Sequence, residues 1–178
     1  MKHVSCRIEL YSDWHCGAGI SSGADLDLLT VKDRNGLPYI PGKTLKGLLK
    51  DAASALADFG ACTPQFIEAV FGKEAVDKEQ VRAEHSKSGA CIFSDATLSE
   101  RAQKGIVDGN GAKLLFRKIA STAIDDNGQA KDHSLRKTET AVPMTLFAEI
   151  RNIPDGCEEQ LEKSMKYIKR LGSGRNRG

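Results

Sequence analysis

Two stretches of this 178-residue chain alternate between apolar and polar side chains, and this alternation constrains the fold more than any other feature. The first covers residues 4–10, with Val4, Cys6, Ile8 and Leu10 on one face. The second covers residues 142–153, where one face carries Met144, Leu146, Ala148 and Ile150. A period of two residues is typical of a half-buried strand. The sequence therefore predicts a strand near each end of the chain.

A helix is predicted between these strands. Pro41-Gly42 opens a run of apolar residues at helical spacing, and Gly60 ends it. The apolar positions of this run are Leu45, Leu48, Leu49, Ala52 and Leu56.

A second helix is predicted after the last strand. Asp155 is a candidate N-cap, and Glu158 follows it at the spacing of a capping box. Gly172 is expected to end this helix. Its apolar stripe is Leu161, Met165 and Ile168.

The remaining segments complete an α+β order. We expect an extended stretch at 26–32, a short helix at 64–71, and strands at 90–98 and 114–124, with turns at Asn35-Gly36 and Gly109–Gly111. Strand, helix, three strands and helix resemble the ferredoxin-like β-α-β-β-α-β plan without its final strand. We therefore predict one domain over residues 1–178, with a variable insertion at 60–89.

Composition and cysteine spacing exclude several classes of protein. Hydrophobic residues make up 40% of the chain and charged residues 28%, as in ordinary globular domains. The apolar runs are too short to span a membrane and no signal peptide is evident, so we expect a cytoplasmic protein without a membrane partner. The five cysteines are scattered without a CxxC pair, which favours reduced thiols over a zinc site, and no residue is assigned to a resident metal.

Positive charge is clustered although the net charge is only +2. Lys43, Lys46 and Lys50 share one face of the first helix, toward its N-terminus, and residues 163–178 contain six basic residues and no acid. Such clusters attract phosphates. A solvated polar face and a helix C-terminus complemented by bases are the alternatives.

Two glycine-rich loops, at 17–23 and 172–178, permit a close approach to a phosphate. Neither has the context of a dinucleotide fingerprint or a P-loop. In the second loop Arg175 and Arg177 flank Asn176, an arrangement that suits phosphate contacts and base stacking. A charged tail without a ligand is the alternative reading.

Five stretches, in order from residue 15 to residue 178, resemble signatures of the RAMP (repeat-associated mystery protein) superfamily of CRISPR–Cas proteins. They are HCGAG at 15–19, LPYIPGKTLKG at 37–47, IFSDA at 92–96, the pair IDDNGQA and ETAVP at 124–130 and 139–143, and LGSGRNRG at 171–178. Each stretch is short, but their joint occurrence in this order is specific.

The resemblance implies a modified RNA-recognition-motif fold and a role as a guide-RNA-binding backbone subunit of type III effector complexes. The implied partners are guide RNA, target RNA, other effector subunits and further copies of the chain. A thumb-like hairpin is expected at 125–138. The implied RNA-binding residues are His15, Gly17, Gly19, Ser21, Ser22, Lys43, Thr44, Lys46, Lys50, Arg136, Lys137, Arg175, Asn176 and Arg177.

The resemblance also implies metal-dependent cleavage of the paired target RNA by an aspartate of the first loop. Asp27 is the best match and Asp25 the second choice. A single carboxylate is a poor metal cage, so a divalent cation (Mg²⁺ or Mn²⁺) would be shared with RNA phosphates. Alternatively, Asp27 only ends a strand, and the chain is a silent structural or capping subunit. A guide-RNA-maturing endoribonuclease with His15 as general base is a third hypothesis.

Overall fold

The computed structural model describes residues 2–19, 26–73 and 87–171. The strands are β1 (Lys2–Leu10), β2 (Gly72–Lys73), β3 (Lys87–Ser88), β4 (Ile92–Phe93), β5 (Phe116–Ser121), β6 (Arg136–Ala141) and β7 (Met144–Ile153). The helices are α1 (Gly42–Asp58), α2 (Pro64–Phe71), α3 (Glu100–Asp108) and α4 (Glu158–Tyr167), with a 3-10 turn at Ala112–Leu115. Helices combined with antiparallel strand pairs confirm the predicted α+β class.

The largest sheet has three strands in the order β1-β7-β4. Strand β4 runs antiparallel to β7, and Phe93 faces Ile150 across the pair. The elements β1, α1, β4, β7 and α4 follow the first five positions of the ferredoxin-like plan. The second glycine-rich loop, at residues 172–178, lies outside the described residues.

Burial confirms the two alternating patterns. In β1 the side chains at positions 4, 6, 8 and 10 are the more buried ones, and their neighbours are exposed. In β7 Leu146, Ala148 and Ile150 are buried, while Phe147, Glu149 and Arg151 are exposed. The strands form because each can bury one face, and that face supplies much of the core.

The chain divides into two compact units. The first comprises Met1–Arg7, Pro41–Ala96 and Phe147–Lys169, and it contains α1, α2 and α4, with α1 packed on both other helices. The second comprises Ile8–Ile40, Thr97–Leu146 and Arg170–Gly178, and it contains α3 and the β5–β6 hairpin. The boundary between the units falls within β1 and within β7.

Helix α1 begins at Gly42 as predicted, and its buried face is made by Gly42, Leu45, Leu49, Ala52 and Ala53. Helix α2 occupies the predicted residues 64–71, and the side chain of Thr63 caps it by accepting a hydrogen bond from the Phe66 N–H. The turn predicted at Asn35-Gly36 is present, with Gly36 at a positive φ angle of 76°, and Gly128 adopts a similar φ angle of 80° in a second Asn-Gly turn.

The predicted start and end of α4 are wrong. The N-cap is Cys157, without a side-chain cap, and the helix ends at Tyr167, before Gly172. Asp155 does not cap the helix, because its carboxylate lies 3.0 Å from the ammonium group of Lys2, which also binds Glu158. This contact with the start of the chain raises the pKa of Lys2 to about 12 and lowers the pKa of Glu158.

Two other predictions also differ from the structure. The strand expected at 90–98 is limited to Ile92–Phe93. Beyond Phe93 the side chains take over the hydrogen bonds: the Ser94 hydroxyl accepts from the Glu149 N–H, and the Asp95 carboxylate accepts from the Gly42 N–H. Helix α3 was not predicted, and none of its residues is buried.

Four of the five cysteines are buried: Cys16, Cys62, Cys91 and Cys157. Within the described ranges, no helix is long and apolar enough to cross a membrane.

Candidate nucleic-acid interface

The described candidate residues fall into two groups, one in each unit. The second unit holds His15, Gly17, Gly19, Asp27, Arg136 and Lys137. The first unit holds Lys43, Thr44, Lys46 and Lys50. Six further candidates lie outside the described residues: Ser21, Ser22, Asp25, Arg175, Asn176 and Arg177.

His15 is fixed in one tautomer by its neighbours. Its Nδ1 lies 2.8 Å from the carbonyl oxygen of Glu139 and 3.2 Å from the hydroxyl of Thr30. A carbonyl oxygen only accepts, so Nδ1 carries the proton. The other nitrogen, Nε2, lies on the side of Gly17, where an added β carbon would be 3.4 Å from it. An unprotonated Nε2 can accept a hydrogen bond from a ribose hydroxyl or remove its proton.

The first glycine-rich loop pairs with the extended stretch that follows it. Val31 N–H donates to the Cys16 carbonyl at 2.8 Å, and Ala18 N–H donates to the Leu29 carbonyl at 2.9 Å. The pairing continues as a bridge between Gly17 and Thr30. The backbone around His15 is thus held by ordinary strand hydrogen bonds.

Glu139 holds this stretch against β6. Its carboxylate is buried, accepts the Thr30 N–H at 3.3 Å, and lies 2.9 Å from the ammonium group of Lys32. Lys32 also lies over the ring of Phe116, 4.2 Å from its centroid. A buried carboxylate needs such partners, because an unpaired one would be strongly destabilising. Thr30, Lys32 and Glu139 were not predicted as site residues, although Glu139 lies in one of the five signature stretches.

Asp27 is attached to the first residues of β6 by two hydrogen bonds. Its N–H donates to the Lys137 carbonyl at 2.9 Å, and its carboxylate Oδ2 accepts the Lys137 N–H at 2.7 Å. Asp27, Arg136 and Lys137 are all exposed. The structure therefore brings the candidate catalytic carboxylate together with two of the candidate RNA-binding residues.

The described residues around Asp27 do not supply a set of metal ligands. The described part of the chain contains no group of three or more His, Cys, Asp or Glu side chains that could hold an ion. A divalent cation prefers six or more oxygen ligands, and Asp27 offers one carboxylate of which one oxygen is already engaged.

The β5–β6 hairpin contributes Arg136 and Lys137 to this group. The two strands pair from Phe116↔Ala141 to Ser121↔Arg136, and the connecting residues 122–135 turn at Asn127-Gly128. Ile124 and Leu135 are 62% and 61% exposed in that connection. The segment expected to act as a thumb, 125–138, thus comprises most of the connection and the first residues of β6.

The lysines of α1 line a cleft in the first unit. The cleft has a volume of about 380 Å³. One wall is formed by Lys43, Lys46, Gly47 and Lys50 of α1, and the other residues that line it are Phe71, Gly72, Lys73, Lys87 and Ser88. None of these nine lining residues is acidic, so the described part of the chain gives the cleft a positive charge.

The start of α1 is occupied by a carboxylate of the same unit. Asp95 accepts a hydrogen bond from the Gly42 N–H at 2.7 Å, and a carboxylate at this position offsets the positive end of the helix dipole. The lysine side chains, and not the first amide of the helix, therefore supply the positive charge. A β carbon on Gly42 would overlap the carbonyl oxygen of Phe93. Gly42 and Asp95, both from signature stretches, thus join α1 to β4.

The described elements define an α+β protein whose first unit follows the ferredoxin-like order. The chain belongs to the RAMP superfamily, whose family model matches residues 7–178. The resemblance seen in the five sequence stretches is thereby confirmed.

Solved structures share this fold. A chain in the cryo-EM structure of the type III-B Cmr-β bound to cognate target RNA superposes with a TM-score of 0.65 at 11% identity, over 88% of this chain and 86% of that one. A chain in the apo-state cryo-EM structure of type III-B Cmr-β gives a TM-score of 0.61 at 14% identity, over 87% and 85%. A comparison with curated protein sequences found no match.

Proposed function

We propose that this chain is a guide-RNA-binding subunit of a type III CRISPR ribonucleoprotein. The observation that carries the proposal is the lysine-lined cleft beside α1, in a chain of the RAMP superfamily. The fold shared with chains from two structures of type III-B Cmr-β, one of which has cognate target RNA bound to Cmr-β, supports the same assignment. Lysine side chains contact phosphates without reading bases, as a subunit that carries many different guides requires. Its partners would be guide RNA, target RNA, other effector subunits and further copies of itself.

Purification together with the neighbouring subunits tests this role. We expect the assembled particle to contain RNA of guide length, and we expect Lys43→Ala combined with Lys46→Ala to reduce the RNA recovered per subunit. A particle that assembles without RNA would exclude a guide-binding role.

We further propose that the subunit cleaves the paired target RNA, with Asp27 as the catalytic carboxylate. Cleavage by the neighbouring 2′-hydroxyl needs that hydroxyl in line with the leaving oxygen. An exposed carboxylate attached to the base of the hairpin is suitably placed to act on a nucleotide that the hairpin displaces. Because Asp27 is not a metal cage, the required Mg²⁺ or Mn²⁺ would be held jointly by RNA phosphates.

Asp27→Asn is the informative variant for cleavage. Asparagine keeps an oxygen that can accept the Lys137 N–H, so the local structure is retained while the charge is lost. We expect target cleavage to fall by at least about 100-fold with guide RNA still bound. Asp25→Ala is the parallel test of the second candidate. If both variants still cut RNA in the presence of Mg²⁺, the cleavage assignment is wrong.

A silent structural subunit is the second candidate, and one observation favours it. Both backbone groups of Lys137 already pair with Asp27, which is what a purely structural strand end would do. In that case Asp27→Ala would lower the unfolding temperature of the chain, whereas the cutting rate of the assembled particle would not change.

A further inference from the structure

The short β2–β3 pair brings two lysines face to face. Lys73 and Lys87 are direct partners in the antiparallel register. Side chains at such positions start from β carbons about 4.5–5.5 Å apart, and like charges there are destabilising. The pair is held close by glycine: a β carbon on Gly72, whose φ is +90°, would overlap the Lys87 carbonyl oxygen and lie 2.6 Å from the Gly89 nitrogen. The backbone therefore keeps two positive charges together at a cost in stability.

Both lysines line the cleft that also receives the three lysines of α1. Within the described residues, Glu68 is an acidic neighbour of Lys87, but the two groups are 3.8 Å apart and the Lys87 side chain is 72% exposed. An exposed pair of this kind contributes little and is readily exchanged for a better anion. The ammonium groups of Lys43, Lys46, Lys73 and Lys87 around one cleft of about 380 Å³ thus favour a negatively charged ligand.

The shape and lining of the cleft indicate what kind of anion it takes. Lys43 and Lys46 line the cleft from α1, and Lys73 and Lys87 line it from the β2–β3 pair, so the positive charge comes from two separate elements and not from one point. Phe71 is buried and stacks on Phe93, with ring centroids 5.7 Å apart, so its face is not available to a base. The cleft therefore offers charge over an extended path and no aromatic platform.

We propose that this cleft binds successive phosphates of a single-stranded RNA backbone, with Lys73 and Lys87 as phosphate-contacting residues opposite α1. The proposal rests on the RNA-binding role proposed above and assigns part of that role to the β2–β3 pair. Binding an anion between Lys73 and Lys87 relieves their mutual repulsion, so the ligand and the strand pair stabilise each other.

The test compares salt dependence in the full-length chain. The probe is an unstructured oligouridylate longer than the usual single-strand site of about 4–16 nucleotides. The slope of log K against log [salt] is about −0.7 per phosphate neutralised on a single strand. Lys73→Ala combined with Lys87→Ala is expected to make this slope less negative by about 1.4, since two contacts are lost.

The matched control is Lys104→Ala combined with Lys113→Ala, two exposed lysines of α3 and of the 3-10 turn that do not line the cleft. The control variant loses the same two positive charges as the Lys73/Lys87 variant. The slope of log K against log [salt] should nevertheless stay as in the wild type. Without RNA, the Lys73/Lys87 variant should unfold at the same temperature as the wild type or above it, because a repulsion has been removed.

Each outcome decides one point. A wild-type chain that does not bind the oligouridylate contradicts the RNA-binding role itself. A wild-type chain that binds, together with a Lys73/Lys87 variant that matches the control, overturns only the assignment of the cleft. If a polyglutamate peptide at equal charge competes as well as RNA, the cleft is a docking site for an acidic protein segment and the proposal is wrong.

Discussion

Replacement of Gly42 by alanine tests the contact that joins α1 to β4. A β carbon at this position would overlap the carbonyl oxygen of Phe93 and lie 3.0 Å from two carbonyl carbons, those of Phe93 and Ser94. All of these are backbone atoms, so no flexible side chain can move away. The helix start would have to shift relative to the strand.

The expected loss combines two effects. Overpacking of a tight contact costs about 1–3 kcal/mol, and the shift weakens the charge-assisted hydrogen bond from Gly42 to Asp95, a type of bond that contributes about 1.5–3 kcal/mol. The higher helix propensity of alanine offsets roughly 0.5–1 kcal/mol of this loss in the free energy of unfolding. We expect Gly42→Ala to lower the free energy of unfolding by about 2 kcal/mol.

Gly47→Ala is the control on the same helix, because no heavy atom lies within 4 Å of the added carbon. This variant should be more stable than the wild type by roughly 0.5–1 kcal/mol. Urea unfolding followed by circular dichroism measures both, and a loss of 2 kcal/mol lowers the midpoint by about 1 M. The reasoning is refuted if Gly42→Ala is as stable as Gly47→Ala.

Two further predictions concern capping and a buried thiol. Thr63→Ala should lower the free energy of unfolding by about 1 kcal/mol, measured by urea titration, because its hydroxyl caps α2; Thr63→Ser, which keeps the hydroxyl, should restore most of the loss. Burial raises the pKa of the Cys91 thiol from 9.0 to about 11, so the folded state holds the thiol proton more tightly than the unfolded state. The stabilisation of the fold that results from this difference is complete below pH 9 and is lost as the pH rises through 11. At pH 9 Cys91 should therefore react with iodoacetamide much more slowly in the folded chain than in urea, as mass spectrometry of the labelled peptide would show; equal rates would contradict its burial.

The elements that could be predicted from the sequence are those with a strong hydrophobic period. The alternation in β1 and β7 and the leucine spacing of α1 each encode which face is buried, so the pattern alone identifies them. Helix α3 buries none of its residues, and its nine mostly polar residues offer few large apolar side chains to mark the helical period. A weaker signal did exist, since Ser99 caps this helix with its side chain and Gly109 follows its last residue.

Features that depend on distant parts of the chain could not be predicted. The apparent capping box at Asp155 and Glu158 follows a sound local rule, but Lys2 takes both carboxylates and the helix starts later. Local sequence carries no information about a partner more than 150 residues away. The same holds for Lys73 and Lys87, whose pairing across 74–86 gives the cleft its second basic wall.

The signature stretches resolve into residues that build the fold and residues that can meet a ligand. Gly42 and Asp95 belong to two of them, and both join α1 to β4. Glu139 belongs to another, and it is buried against Thr30 and Lys32. Loss of RNA binding in a variant of these residues would therefore report a damaged fold as readily as a lost contact. Lys43 and Lys73 are exposed and line the cleft, so replacing them removes a possible RNA contact without disturbing the fold. RNA binding should therefore be tested with variants of such lysines and not with variants of Gly42, Asp95 or Glu139.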